Sequence, residues 1–448
     1  MNEDSLPSIS LTVADSDQEL SFSSEFQTAG QILSRFGMSN SNSSANPHLS
    51  GMNCRSVYIH IPFCFHKCHY CDFYSVVDHQ DRQEQFTRRL IRELNAYTNL
   101  QQGAVEPHPS MQSIFIGGGT PTLLAVEWWN QLLPALHDAF HITPSTEFTV
   151  EANPETMTPE LAHCLAEGGV NRMSVGAQSF NSKLLKTLER WHDPDHVAGA
   201  IDTIRSAGIE NINLDLIFAI PGETMGDWLN DLNRALALNP THLSCYSLTY
   251  EPGTALTARH HAGEFPVVDE DVEAEMFLAT RAVLSELGFE AYEISNFEKN
   301  HPTKNYQCKH NLAYWRGENW LAFGPAASGH LRPFRWKNIP HLARYLDPSP
   351  DSSGFPLIQD VEEAGPTTQL TEQMLMGFRL KEGLARDDLL KQAEVINRAE
   401  ALSRVFTKQI DSGRMVLLKK DREMMALSEE TGILLTDTVI GDLIEAIQ

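Results

Sequence analysis

Tyr58-Ile-His-Ile-Pro-Phe-Cys64-Phe-His-Lys-Cys68-His-Tyr-Cys71-Asp-Phe73 is the stretch on which the reading of this chain turns. Three cysteines at C-x3-C-x2-C spacing follow a short β-like run, Val57–Ile61. Thiolates are soft ligands, and cysteines clustered in a reducing compartment usually hold iron–sulfur or zinc. A [4Fe–4S] cluster normally takes four thiolates. Three leave one iron without a protein ligand, and a substrate can coordinate at that open position. The competing reading is a structural zinc site, which wants four closed ligands. His60, His66 or His69 could supply the fourth.

Composition bounds the rest. The 448 residues suffice for two or three domains and a sizeable core. Hydrophobic content of 42% and charged content of 21% fit a soluble globular protein. The formal charge is −25, from 34 basic against 59 acidic residues, which opposes a general nucleic-acid footprint. No apolar run is long enough for a transmembrane helix, while peripheral membrane contact stays open. Seven cysteines without a secretory signal read as reduced thiols in the cytoplasm. Monomer and homodimer are both compatible with the sequence.

Residues 1–50 are rich in Ser, Asn and acids, with Arg35 the only Lys or Arg. They match neither a signal nor a transit peptide and read as a disordered extension. Phe26, Ile32, Leu33 and Phe36 are spaced loosely as an amphipathic helix, and transient helicity is favoured over docking. From residue 56 strands and helices alternate. Strands are expected at Val57–Ile61, Ser113–Ile116, Glu147–Glu151, Arg172–Val175, Ile212–Phe218 and His242–Leu248. Helical patterns lie between them, with Pro159 and Pro194 where a first-turn proline belongs. The fold class is therefore α/β, with a parallel sheet and helices outside. Six units are too few for a closed eight-stranded barrel, so the core, residues 51–290, reads as an open partial (β/α)6 barrel.

In such folds chemistry gathers at the C-terminal ends of the strands. The second strand runs into Gly117-Gly118-Gly119-Thr120, whose glycines permit a tight turn and close backbone approach to a ligand. Glu151 ends the third strand, Gln178 follows the fourth, and Arg190 follows the next helix. Asp215 sits inside the apolar fifth strand, where a carboxylate needs a bonding group or a task. Residues 291–365 read as a linker with an aromatic motif, His310-Asn311-x2-Tyr314-Trp315. An imidazole beside two aromatic rings suits an iron ligand in a haem site; a core histidine among packing aromatics is the alternative. Residues 366–448 read as helices around a short hairpin, a winged-helix-like module.

These motifs in this order resemble the HemW haem chaperones. That family is related to the HemN oxygen-independent coproporphyrinogen III oxidases and lies within the radical S-adenosylmethionine (SAM) superfamily. The similarity runs from about Tyr58 to the C-terminus, and includes Val150-Glu-Ala-Asn-Pro154, Arg172-Met-Ser-Val-Gly-Ala-Gln-Ser-Phe180 and Tyr292-Glu-Ile-Ser-Asn-Phe297. It implies that Cys64, Cys68 and Cys71 hold a [4Fe–4S] cluster whose fourth iron is chelated by SAM. It implies that Tyr58, Tyr70, Gly118, Gly119, Thr120, Glu151, Gln178, Arg190 and Asp215 line the SAM pocket. It places His310 in the haem-binding motif, and implies haem-accepting respiratory proteins as recipients. The alternative activity is that of a coproporphyrinogen III oxidase. Two departures oppose it: Phe73 stands where those enzymes carry a further cysteine, and their N-terminal substrate-handling stretch is replaced. Ser328 stands where many HemW proteins have histidine, with His330 nearby.

Overall fold

The computed structural model describes residues 27–35, 54–101, 109–347, 354–419 and 421–448. Six strands run parallel in chain order: β1 (Ser56–Ile61), β2 (Ser113–Gly118), β3 (Glu147–Ala152), β4 (Arg172–Gln178), β5 (Asn211–Phe218) and β6 (His242–Ser247). Alternation in each strand decides the two faces. In β1, Val57, Ile59 and Ile61 are fully buried in the apolar core, while Ser56, Tyr58 and His60 point the other way, into the lumen. Helices between the strands are closed by local chemistry. Thr158 accepts from the Leu161 N–H ahead of Pro159–Glu167, and Thr224 with Asp227 forms a capping box on Met225–Ala237.

The sheet does not stop at six strands. On one edge β7 (Phe289–Ala291) and β8 (Asn296–Lys299) add antiparallel beside β6. On the other, β9 (Trp320–Phe323) pairs parallel with β1, and β10 (Ser328–Leu331), β11 (Phe334–Asn338) and β12 (Ile358–Glu363) continue antiparallel. The reading of residues 291–365 as a linker is thereby corrected. Its strands are four to six residues long, too short for a clear alternation to stand out from the turns between them.

A second correction concerns residues 1–50. Within them Ala29–Leu33 forms a helix with Ile32 and Leu33 buried in the main core. The Ile358 N–H donates to Gln27 O at 3.0 Å, so the segment docks beside β12. Burying two aliphatic side chains stabilises by about 1.5–3 kcal/mol each, enough to order a short helix that propensity alone does not favour. The remainder of residues 1–50, Phe26 and Phe36 included, lies outside the described residues.

A separate apolar core, from Leu370 to Ile447, serves the C-terminal region. There a three-stranded antiparallel sheet of β13 (Leu384–Ala385), β15 (Glu423–Leu427) and β14 (Met415–Lys419) packs with four helices. Among the described residues, no helix is long and apolar enough to cross a membrane.

Candidate cofactor site

The loop that follows β1 is shaped by its own ends. Phe63–Cys64 pairs with Val76–Val77, which closes the cysteine segment into a loop above the strand ends. The turn after β2 docks on this loop: Gly119 N–H donates to Ile61 O at 2.8 Å and Thr120 N–H to Phe63 O at 2.7 Å. Only glycine fits at 119, because a Cβ there would stand 2.6 Å from the Phe63 carbonyl oxygen. Thr120 Oγ1 then lies 3.7 Å from Cys64 Sγ. Burial pushes the Cys71 thiol up to about 11, and the neighbouring Cys68 and Cys64 push the same way. Such thiols ionise at neutral pH when a metal takes them.

Arg190 joins this loop to β4. Its Nη1 is 3.7 Å from Cys68 Sγ and its Nη2 donates to Gly176 O at 3.2 Å. A Cβ at Gly176 would stand 2.9 Å from Gln178 Nε2 and 3.0 Å from Arg190 Nη2, so this glycine makes room for both. Gln178 has φ of 62° at a register shift between β4 and β5, a bulge that re-aims its side chain. Tyr70 packs against the apolar group of Leu184, Leu188, Ile217 and Leu256.

The lumen beside the loop carries two carboxylates. Glu151 Oε2 accepts from Gly118 N–H at 3.0 Å. Burial, then Asp215, raise Glu151 to about 8. Burial also raises Asp215, against the hydrogen bonds that Ser174 and Asn213 give it. Two carboxylates raised in this way beside the cysteine loop form a candidate ligand site.

The donor set fits an iron–sulfur cluster better than zinc. All seven cysteines are free, and three of them share the loop. Among the described residues no three His, Cys, Asp or Glu side chains gather tightly enough for a single ion. Three thiols in one loop suit a [4Fe–4S] cluster that keeps one iron open to a ligand. Two of the three histidines that could close a zinc site are engaged elsewhere. His60 Nε2–H donates to Tyr74 O at 2.8 Å, so its Nδ1 accepts from Tyr58 OH at 3.0 Å. His69 Nδ1 is 3.2 Å from Arg259 Nη1.

His310 lies at the opposite end of the barrel. Its helix, Lys309–Trp315, is held under the first residues of the strands by Glu147, which accepts from the N–H groups of Lys309 and His310 at 3.0 and 3.2 Å. Ser113 OH donates to Ser56 Oγ and therefore accepts from His310 Nδ1–H at 3.0 Å. That leaves the lone pair on Nε2, which is buried without a hydrogen-bond contact. The ring is 4% exposed, against Phe115, Tyr58 and Tyr314. A partly exposed pocket around it, as a haem site requires, is not what the structure has: the barrel floor closes over the imidazole. Rings continue outward from it, Tyr314 to Trp320 at 4.2 Å and Trp320 to His330 at 4.6 Å. His330 Nδ1–H donates to Glu318 O at 3.0 Å. Ser328 is exposed at the start of β10.

Sequence reasoning missed Ser174, Asn213, His242 and Tyr292, which bond to one another behind Asp215. The signal was present in β5, where Asn211, Asn213 and Asp215 recur at every second position, the mark of a polar lumen rather than a lone buried acid.

Comparison with known proteins agrees with this geometry. The Radical SAM superfamily model matches residues 58–235. Membership of that superfamily implies a [4Fe–4S] cluster and SAM. The structure of the coproporphyrinogen III oxidase HemN from Escherichia coli superposes with a TM-score of 0.75 over 96% of this chain and 95% of that one, at 19% identity. That likeness shows the fold. Heme chaperone HemW of Bacillus subtilis is 36% identical over 74% of this chain and 85% of its own length. HemW of Mycobacterium tuberculosis is 35% identical over 82% of this chain and 91% of its own length. With identity at that level spanning nearly all of those relatives, the chain belongs to the HemW family of radical SAM proteins.

Proposed function

We propose that this chain is a cytoplasmic haem chaperone that carries a SAM-coordinating [4Fe–4S] cluster and delivers haem to respiratory haem proteins. The observation that carries this reading is the match to relatives named heme chaperone over more than four-fifths of their length. In it Cys64, Cys68 and Cys71 hold the cluster and leave one iron open. Tyr58, Tyr70, Gly118, Gly119, Thr120, Glu151, Gln178, Arg190 and Asp215 line the SAM pocket. The Arg190 guanidinium beside Cys68 favours an anionic thiolate cluster. Glu151 and Asp215 offer carboxylates to a cationic ligand. A cluster with SAM bound supplies one-electron chemistry when reduced.

His310 is the proposed haem contact, with Tyr314 beside it, while Trp315 packs with Tyr292, Leu312 and Leu380. Its Nε2 lone pair suits iron, but it is sealed, so ligation demands that the Lys309–Trp315 helix withdraw from the floor. His330, at the far end of the ring series, has the bonding pattern of a metal-ligating imidazole, with Nδ1–H on a backbone carbonyl and the lone pair on Nε2. A haem titration of anaerobically reconstituted protein tests the assignment. His310→Ala should lower haem loading and shift the Soret band while the iron–sulfur signal persists. If His310→Ala and His330→Ala both load haem as wild type does, the contact lies elsewhere.

A further inference from the structure

Hydrogen-bond donors run in one direction from the barrel floor to the SAM-pocket carboxylate. Tyr292 OH accepts from the Cys308 N–H at 3.3 Å and from Asn311 Nδ2 at 3.5 Å, both from the start of the Lys309–Trp315 helix. The same hydroxyl lies 2.9 Å from His242 Nε2, and His242 Nδ1 lies 2.6 Å from Asn213 Oδ1. Asn213 Nδ2 donates to Asp215 Oδ1 at 2.8 Å and to Ser174 Oγ at 2.7 Å. Ser174 OH donates to Asp215 Oδ2 at 2.9 Å.

The proton positions follow from the chemistry of each group. Both Asp215 oxygens accept, one from the Asn213 amide and one from Ser174 OH, which turns the Asn213 amide nitrogen towards Asp215 and the amide oxygen towards His242. That oxygen also lies 3.1 Å from Ser244 Oγ, whose hydroxyl is 2.8 Å from Asn296 Oδ1. His242 must therefore carry its proton on Nδ1, and its Nε2 accepts from Tyr292 OH. Burial holds His242 well below the ordinary imidazole range, so it stays neutral and keeps one donor and one acceptor. Tyr292, His242 and Asn213 are buried, at 5%, 0% and 1% exposure, so the series runs out of contact with bulk water.

We propose that His242, set by Tyr292 and the Lys309–Trp315 helix, is a positioning residue that fixes Asp215 through Asn213 and so couples the floor of the barrel to SAM affinity. The proposal rests on Asp215 as a SAM-pocket residue. It gives the polar lumen a task and gives Asn311 a role distinct from iron ligation. By linkage, any displacement of that helix changes SAM affinity, and SAM binding in turn resists the displacement.

Calorimetric SAM titrations of the full-length, anaerobically reconstituted chain test it. Tyr292→Phe removes one hydroxyl and His242→Phe removes both ring nitrogens. Each should weaken SAM binding about tenfold while cluster content is retained. The decisive arm repeats both changes in an Asp215→Ala background, where they should cost nothing further, because the group they position is gone. A purely structural role would instead lower the melting temperature and add its loss in both backgrounds. Wild-type affinity in Tyr292→Phe and His242→Phe, or equal losses with and without Asp215, would overturn the proposal. Unchanged affinity in Asp215→Ala alone would remove the pocket reading itself, and the proposal with it.

Discussion

The Gly118 N–H donates to Glu151 Oε2 across 3.0 Å, so the last residue of β2 grips the carboxylate next to the end of β3. Burial is the larger influence on that carboxylate and takes it from 4.5 to about 8, with Asp215 acting in the same direction. Before SAM binds, Glu151 is therefore mostly protonated at neutral pH. A raised carboxylate favours the folded state at low pH, and that contribution is lost as pH climbs from 4.5 through about 8. If Glu151 meets the cationic part of SAM, binding expels its proton. SAM affinity should then rise towards pH 8, approaching about tenfold per unit below it, and the calorimetric enthalpy should depend on the buffer's ionisation heat. Glu151→Gln should flatten both; a buffer-independent enthalpy in wild type contradicts the assignment.

The three loop cysteines are expected to be the only cysteine ligands. Substituting Cys64, Cys68 or Cys71 by Ala should abolish stoichiometric iron and sulfide and the reduced cluster's paramagnetic signal. Cys54, Cys164, Cys245 and Cys308 are free thiols elsewhere, and their Ala variants should keep the cluster. Stoichiometric zinc in place of iron would sink this expectation.

The docked N-terminal segment predicts a stability effect that a disordered tail does not. Ile32 is fully buried, so Ile32→Ala should cost about 2–4 kcal/mol in denaturant unfolding. An Ile32→Ala variant as stable as wild type would return the segment to solvent.

Glu93 ties a helix to the far edge of the sheet. It accepts from Tyr345 OH at 2.6 Å, Gly324 N–H at 3.1 Å and Asn338 Nδ2 at 3.3 Å, all out of water. Glu93→Ala leaves the Tyr345 hydroxyl and the Gly324 N–H without an acceptor and removes the negative charge facing Arg89, a loss of about 3–5 kcal/mol. Unfolding monitored by circular dichroism reads it directly, and a change below about 1 kcal/mol contradicts it.

The parallel strands and the cysteine loop were legible because each writes a local pattern. Apolar β-branched runs mark β1 to β5, and the C-x3-C-x2-C spacing is contiguous. Asp215 stood out because it is charged in an apolar run. Asn213 and His242 did not, because a neutral polar residue gains meaning only from what faces it across strands. The floor position of His310 was invisible for the same reason. Nothing near residue 310 reveals that Ser113 and Glu147, over 160 residues earlier, close around it. The docked helix at Ala29–Leu33 was missed because its counterpart, near Phe355, Leu357 and Ile358, lies more than 300 residues away.

Haem binding and porphyrinogen oxidation, measured on one anaerobically reconstituted sample, test the central claim most directly. The account predicts a saturable Soret band on haem titration, and no conversion of coproporphyrinogen III to protoporphyrinogen IX when SAM and reductant are supplied. Robust decarboxylation of coproporphyrinogen without haem binding would contradict it.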